Sequence, residues 1–266
     1  MTRNTCRMLA ALLIALGLAA CGATTTSRLS RYSSASSASG RASSAYQAAH
    51  AGGTLHLLLN AAPGSIDPVP ASQLAVVQAD ADVYDGLLAF RKAAGHAGTE
   101  VVPDLARSMP TVSNGGKTYT FTLRRGIRFS TGKPVTVQDV VSSFRRIYTV
   151  PSGVAGGLFT SFVGASLCLK RPAKCTLAGG VRADPAANTV TINLTAPDPN
   201  ILLKLALPAA SIVPASAPRG NAGDSPIPGT GPYEIASYNP SSELKSTSPD
   251  AVTSCPIKPV TRCWSF

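Results

Sequence analysis

The sequence predicts a mixed α/β fold, and three local patterns are the basis of that prediction. Residues 118–123 (TYTFTL) alternate polar and apolar side chains, as a half-buried strand does. Residues 136–148 carry apolar side chains at helical spacing, and Thr136 and Asp139 form a possible capping pair at the start of this helix. Residues 188–194 (NTVTINL) alternate again and precede a second apolar helix. Because strands and helices each offer one apolar face, we expect them to pack on one another.

Composition and charge limit the classes of protein that fit. Of the 266 residues, 44% are hydrophobic and 14% are charged, which is typical of a folded chain rather than a disordered one. The net charge of +11 would suit a nucleic-acid partner, but Lys and Arg are scattered, with no run longer than two. No RNP, zinc-finger or helix-turn-helix pattern accompanies them. We therefore expect no nucleic-acid partner, and a basic surface facing acidic lipids or wall polymers explains the charge.

The amino terminus has the pattern of an exported lipoprotein. Arg3 and Arg7 precede the apolar run 8–20, which is shorter than the ~20 residues that a spanning helix needs. The run ends in LAAC, which resembles the lipobox of bacterial lipoproteins, so we expect a signal peptide over residues 1–20 and acylation of Cys21. A plain secretory signal with a chance cysteine is the alternative. In either case we expect the protein to work outside the cytoplasm. Two or more acyl chains on Cys21 would hold it on the outer face of the cell membrane, and the periplasm is the alternative location.

The remaining cysteines and the histidines indicate no metal centre. Cys168 and Cys175 bracket the basic loop LKRPAK, and in an oxidising compartment they are a plausible local disulfide. The three histidines, His50, His56 and His96, show no paired spacing. We expect neither a metal nor any other cofactor.

Several elements are expected before the central block. Residues 21–52 are rich in Ser and Ala and indicate a flexible tether. Residues 54–60 suit a buried strand that ends at the turn SIDP. Residues 73–90 place apolar side chains at helical spacing, which predicts a helix. The members of this apolar set are Val76, Val77, Ala81, Tyr84, Leu87 and Leu88.

The central block, residues 116–147, predicts a hairpin followed by a capped helix. After TYTFTL, the turn RRG leads to Ile127 and Phe129, which resume the alternation. Thr136 and Asp139 stand three apart, as in a capping box. Arg145 and Arg146 lie near the end of the helix, where positive charge complements the helix dipole. The predicted apolar stripe consists of Val137, Val140, Val141, Phe144, Ile147 and Tyr148.

A second block repeats this organisation. Asp198 and Pro199 can cap and open the helix NILLKLAL, and SIVP (residues 211–214) indicates a short strand. A Gly/Pro-rich loop then leads into the alternating strand of GTGPYEIASY, residues 229–238.

These blocks, in this order, resemble the family 5 solute-binding proteins, the lipoprotein or periplasmic receptors that deliver oligopeptides, dipeptides, nickel or other solutes to ABC importers. The resemblance runs from about residue 53 to about residue 238. It includes SIDP, DVYDGLLAF, the long stretch VPDLARSMPTVSNGGKTYTFTLRRGIRFSTGKPVTVQDVVSSFRRI, VRADPAANTVTINLTAPDPNILLKLALPAASIVP and GTGPYEI. The long stretch is specific, whereas a single hairpin and helix would be weak evidence.

The resemblance implies a periplasmic-binding-protein-like α/β fold with solute held in a cleft between two lobes. The first lobe would comprise residues 53–68 and 179–244, and an inserted β-rich subdomain would comprise residues 69–178. Candidate ligand contacts are Asn60, Ala61, Ala62, Ser65, Asp67, Tyr84 and Tyr233. For each of them a turn or core role is the alternative, and Asp67 before Pro68 suits a turn.

The last residues depart from the family pattern. Residues 245–266 show neither strand alternation nor a helical stripe, so we expect an aberrant tail, a missing second lobe and a frameshift or truncated gene model.

The expected function is a monomeric, extracytoplasmic solute-binding lipoprotein that captures peptides or similar small solutes and partners ABC permease subunits. The alternatives are a sensory or structural lipoprotein without transport, a non-functional fragment and a secreted enzyme. The enzyme is disfavoured, because neither G-x-S-x-G nor H-E-x-x-H occurs.

Overall fold

The computed structural model describes residues 64–70, 74–152 and 154–247. The predicted signal peptide (1–20), the acylated Cys21, the tether (21–52), the strand over 54–60 and the tail beyond residue 247 lie outside these residues. All described residues belong to one compact unit. Within them, no helix combines the length and the apolar character needed to cross a bilayer.

The described residues form short helices and strands in an alternating order. The α-helices are α1 (Leu74–Val83), α2 (Val137–Thr149), α3 (Ala155–Leu158), α4 (Ala165–Lys170) and α5 (Ile201–Leu205). The strands are β1 (Leu88–Phe90), β2 (Val101–Pro103), β3 (Thr111–Ser113), β4 (Thr118–Thr122), β5 (Val181–Asp184), β6 (Thr189–Asn193), β7 (Glu234–Asn239) and β8 (Glu243–Thr247). Pairs β1–β2 and β7–β8 form two-stranded sheets, and the others form a four-stranded antiparallel sheet in the order β3-β4-β6-β5.

The four-stranded sheet confirms the two predicted alternating strands. Tyr119 of β4 pairs with Ile192 of β6, and Phe121 pairs with Val190. These four side chains are buried, while the threonines between them are only partly buried. The alternation therefore decides which face of the sheet joins the core.

Helix α2 covers the buried face of this sheet, as predicted. Thr136 and Asp139 form the complete capping box: the Asp139 N–H donates to Thr136 Oγ1 at 3.3 Å, and the Thr136 N–H donates to Asp139 Oδ2 at 2.8 Å. All members of the predicted apolar stripe are buried. Phe144 lies 5.6 Å from the ring of Phe162. The helix packs against β5 and β6 and completes the main apolar core.

The predicted partner of β4 was wrong. Residues 127 and 129 form no strand beside β4; instead residues 127–135 close a separate loop, in which Val135 N donates to Ile127 O at 2.9 Å. The hairpin forms on the other side, where the turn Asn114–Gly116 joins β3 to β4. The remaining edge of β4 is taken by β6, because its matching alternation supplies a buried partner for each buried residue of β4.

The helix predicted over residues 73–90 is shorter than expected. It ends at Val83, and Leu88 begins strand β1, which pairs with β2. A Cβ at Gly86 would lie 2.9 Å from Leu88 O and 3.2 Å from Leu205 O, so only glycine lets the chain leave the helix here without displacing backbone. The apolar residues beyond it follow strand pairing instead of helical periodicity.

Strands β5 and β6 lie beyond residue 179 and share one sheet and one core with β4. The boundary expected between 178 and 179 stays a prediction. One further expectation needs correction. Residues 211–214 form no strand; Ile212 N donates to Asp85 O and Val213 N to Ser143 Oγ, so their hydrogen bonds go to loops and side chains. Strand β8 extends three residues, 245–247, into the segment predicted to be irregular.

Candidate functional site

The loop 64–70, where ligand contacts were predicted, is anchored by a buried ion pair. The exposed fraction is 0% for Asp67 and 4% for Arg146 of α2. Arg146 Nη1 donates to Asp67 Oδ1 at 2.7 Å, and Nη2 donates to Oδ2. The N–H groups of Val69 and Ala222 donate to the same carboxylate at 3.1 and 2.8 Å. Each carboxylate oxygen accepts one hydrogen bond from the guanidinium and one from a backbone N–H. The buried negative charge of Asp67 is therefore compensated.

Arg146 also holds the segment 218–220. Its Nε donates to Pro218 O at 2.6 Å, and Nη2 donates to Gly220 O at 3.0 Å. Thr149, one turn further along α2, donates its hydroxyl to Arg219 O at 2.7 Å. One guanidinium therefore joins α2, the loop 64–70 and the segment 218–220.

Arg146 belongs to a polar stripe on α2, consisting of Asp139, Ser143 and Arg146. Residues at these intervals share one helix face, and all three are buried. Asp139 Oδ1 accepts from Ala215 N at 2.8 Å, and Ser143 Oγ accepts from Val213 N at 2.9 Å. The stripe therefore satisfies backbone groups of residues 213–220, a segment with no regular secondary structure of its own.

Helix α2, the loop 64–70 and the segment 218–220 meet at a junction. Ser65 lies at its edge and is partly buried. Its hydroxyl donates to Asn221 Oδ1 at 2.7 Å and accepts from Asp67 N at 3.1 Å. The neighbouring Ile66 N donates to Gly223 O at 3.1 Å. Ser65 is thus held in place by the loop and by the segment around residue 221.

Tyr84 is a core residue in the structure. It is 4% exposed, and its hydroxyl donates to Ile227 O at 3.1 Å. Burial is the main cause that raises the pKa of the Tyr84 phenol well above its usual range. Its ring belongs to a small apolar cluster formed by Ile66, Val83, Tyr84, Val213, Ile227 and Ile235.

The GTGPY loop caps the carboxyl end of α1. Gly231 N donates to Val83 O at 2.9 Å, and Tyr233 N donates to Asp82 O at 3.2 Å. A Cβ at Gly229 would lie 2.0 Å from Val83 O, so the close approach requires glycine there. The loop thereby places Tyr233, which is 37% exposed, beside the end of the helix.

Asp80 of α1 is a buried acid that sequence reasoning did not select. It is 1% exposed, and neither carboxylate oxygen has a hydrogen-bond partner in the part of the chain that the structure describes. Burial raises the pKa of Asp80 well above its usual value, and the negative charge of Asp67 raises it further. Both effects favour the protonated form of Asp80 over the carboxylate.

The structure brings together some of the predicted site residues. Tyr84 belongs to the small apolar cluster, and the backbone N–H of Tyr233 donates to Asp82 O in the same helix end. Ser65 and Asp67 lie together in the loop 64–70, where Asp67 N donates to Ser65 Oγ. Asp67 and Tyr84 have almost no exposed surface, and their polar groups are engaged inside the fold. Asn60, Ala61 and Ala62 lie outside the described residues.

The structure also contains the disulfide between Cys168 and Cys175. In the described part of the chain, no group of three or more His, Cys, Asp or Glu side chains could hold a metal ion.

Sequence reasoning missed the role of Arg146, which was assigned to the helix dipole. Asp139, Ser143 and Arg146 recur at helical spacing beside the apolar stripe, but the polar face of an amphipathic helix normally lies in solvent, so the spacing alone does not predict burial. It also does not identify Asp67 as the partner, which lies 79 residues away in the sequence.

Known proteins are similar to this chain in sequence. Residues 100–248 match the model of the bacterial extracellular solute-binding proteins, family 5 Middle. The dipeptide-binding protein of Escherichia coli (strain K12) is 32% identical over 164 residues, covering 55% of this chain and 29% of that protein.

Two solved structures are similar in fold as well as in sequence. Clavulanic acid biosynthesis oligopeptide binding protein 2 is 27% identical with a TM-score of 0.63, over 76% of this chain and 37% of that one. The murein tripeptide binding protein MppA, in its unliganded open form, is 28% identical with a TM-score of 0.60, over 72% of this chain and 36% of that one.

The aligned part of this chain thus spans 29% to 37% of the length of these three proteins. The family prediction and the predicted periplasmic-binding-protein-like α/β fold are confirmed. With the family model matching more than half of its length, the chain belongs to the bacterial extracellular solute-binding proteins of family 5.

Proposed function

We propose that the chain captures a peptide or a similar small solute outside the cytoplasm and serves an ABC importer. The proposal is supported by membership of a solute-binding family and by relatives whose names describe dipeptide and oligopeptide binding. The ABC permease subunits are the protein partners that this role requires. A lipid anchor on Cys21, following removal of residues 1–20, would keep the receptor beside them.

The observation that carries the proposal is the rigid support beneath the loop 64–70. Arg146 fixes Asp67, and Asp67 accepts hydrogen bonds from Val69 N and Ala222 N. A loop held in one conformation before binding loses less entropy when a ligand arrives. The ion pair gives the loop that preorganisation without presenting a charge to the solute.

The proposed contacts follow from exposure. Ser65 retains exposed surface and Tyr233 is 37% exposed, so both can reach a solute. Asn60, Ala61 and Ala62 precede the anchored loop, and we assign them contacts made through backbone groups and the Asn60 amide. Asp67 and Tyr84 are assigned a supporting role, because their side chains are buried and their polar groups are engaged.

Thermal unfolding of the full chain with a library of short peptides tests the proposal. A peptide at a hundred times its Kd stabilises the native state by about 2.7 kcal/mol, which raises Tm by several degrees. Asn60→Ala should weaken binding and reduce the shift. Asn200→Ala is the matched control, because Asn200 is exposed beside α5, and its side chain forms no hydrogen bond with the described residues.

A folded chain whose Tm no peptide raises would contradict peptide capture. Equal peptide-induced Tm shifts in the Asn60→Ala and Asn200→Ala variants would agree with peptide binding but would contradict the contact assigned to Asn60. Far-ultraviolet circular dichroism of each variant shows that it is folded before the peptides are added.

A further inference from the structure

One surface of the molecule carries positive charge with no acidic residue nearby in the chain. Between Asp139 and Asp184 the sequence contains six basic residues and no Asp or Glu. Three of the six, Lys170, Arg171 and Lys174, lie at the end of α4 and in the loop that the disulfide closes, and all three are exposed. They take part in none of the ion pairs found among the described residues. No carboxylate within residues 140–183 offsets their charge.

Exposed leucines lie among these cations. Leu167 is 49% exposed and Leu169 is 44% exposed, on either side of Cys168, which is 1% exposed. A Cβ at Gly156 would lie 3.0 Å from Leu169 Cδ2, so α3 borders the same surface. Val154, just before α3, is 58% exposed. We name residues 166–176, which comprise most of α4 and the loop that follows it, the basic-apolar loop.

The basic-apolar loop is held rigidly. The disulfide joins Cys168 to Cys175, and the buried sulfur of Cys168 belongs to the main core. Arg145 Nε of α2 donates to Thr176 O at 2.8 Å, and Cys175 N donates to Pro172 O at 3.0 Å. Leucines and cations are thus presented together without the entropy cost of ordering a free loop.

We propose that the basic-apolar loop docks on a bilayer surface that contains anionic phospholipids. The leucines enter the boundary between headgroups and acyl chains, and the cations lie beside lipid phosphates. A soluble polyanion would complement the charge but would leave the leucines in water, so the combination favours lipid. Docking here would set the orientation of the domain on the membrane, and it does not depend on solute capture.

Tryptophan fluorescence in the full chain tests the proposal. Leu169→Trp is introduced together with Trp264→Phe, since Trp264 is the only tryptophan of the chain. Vesicles of brominated phosphatidylcholine are used with and without phosphatidylglycerol. We expect the bromine atoms to quench Trp at position 169 only when phosphatidylglycerol is present, and we expect about 1 M salt to abolish the effect, because the Debye length is then about 3 Å.

Two matched variants separate docking of the loop from any other attachment to the membrane. Leu203→Trp places the reporter on α5, where Leu203 is also 44% exposed, and it should not be quenched. Replacement of Lys170, Arg171 and Lys174 by Glu should lower phosphatidylglycerol-dependent quenching at position 169 at least about tenfold. Should that variant unfold, Lys170→Gln with Lys174→Gln removes charge without reversal and should lower quenching by a smaller factor.

The same data can overturn the proposal. Equal quenching at positions 169 and 203, or quenching at 169 that is unchanged by charge removal, would exclude docking through the basic-apolar loop. A fluorescence response to soluble polyglutamate, with none to either vesicle, would replace the lipid by an acidic polymer or protein. Loss of peptide binding with retained quenching would contradict only the proposed function.

Discussion

The core between α2 and the sheet is held by apolar packing, whereas the junction beneath the loop 64–70 is held by buried charges and hydrogen bonds. Phe144 and Phe121 represent the first region, in which both side chains are buried among other apolar groups. Arg146 and Asp67 represent the second region, and each is as deeply buried as a core phenylalanine. The two regions meet on α2, whose faces serve one region each.

The two regions differ in the side-chain substitutions that they tolerate. Apolar packing is non-directional, so a core position accepts another side chain of similar size at modest cost. The junction depends on specific partners, and removal of one leaves the other charged and buried. We therefore expect substitutions in the two regions to differ in their energetic cost even at equal burial.

Arg146→Ala should have the largest effect. Loss of the guanidinium leaves the Asp67 carboxylate without its cation and frees the carbonyls of Pro218 and Gly220. We expect the free energy of unfolding to fall by about 3–5 kcal/mol, measured by urea denaturation. Arg145→Ala is the control on the same helix, and it should cost less than about 1 kcal/mol because its hydrogen bond is exposed. Equal losses for the two variants would contradict this account of the junction.

Phe144→Leu should have a smaller effect, although Phe144 is only 1% exposed. Leucine keeps the site apolar but loses ring contacts with Phe159 and Phe162. We expect a loss of about 1–2 kcal/mol in the same urea measurement. A loss equal to that of Arg146→Ala would show that the two regions are equally intolerant.

Asp80→Asn should have the smallest effect at acid pH, and its effect should grow with pH. Because the folded-state pKa of Asp80 is raised above its unfolded value near 4, its protonated form contributes stability that is complete below about pH 4. That contribution is lost as pH rises toward the folded-state pKa. The asparagine variant cannot ionise, so it should become more stable than the parent chain as pH increases.

The measurement is the difference in unfolding free energy between parent and variant from pH 4 to pH 8. Asp224→Asn, at an exposed position, is the control. A difference for Asp80→Asn that is constant across this range would contradict a raised pKa of Asp80 in the folded state. A stability advantage of the variant that decreases as pH rises would mean that the pKa of Asp80 is lowered in the folded state.

Most of the sheet core could be predicted from sequence. The alternation in β4 and β6, the capping box of Thr136 and Asp139 and the apolar stripe of α2 are local patterns, and the structure contains all of them. The strand partner of β4 could not be predicted in the same way. Two segments offered a matching alternation, and the structure pairs β4 with β6, which also packs against α2.

Much less of the junction could be predicted. Asp67 was selected as a candidate contact or turn former, and Arg146 as a complement to the helix dipole, but nothing in either local pattern pairs them. Asp80 sits in a helix with apolar neighbours, and its burial depends on elements that are distant in sequence. Tyr84 was placed in a predicted apolar set, and the core alternative for it agrees with its burial.

By itself, the sequence determined the periodic elements, the helix cap and the family, because each depends on side chains a few residues apart or on a long ordered motif. Tertiary structure alone decided that Arg146 meets Asp67, that Gly229 packs against the end of α1 and that Asp80 loses contact with water. The physical reason is that ion pairing, close backbone approach and desolvation depend on distances in space. Residues far apart in the chain carry no local pattern that encodes those distances.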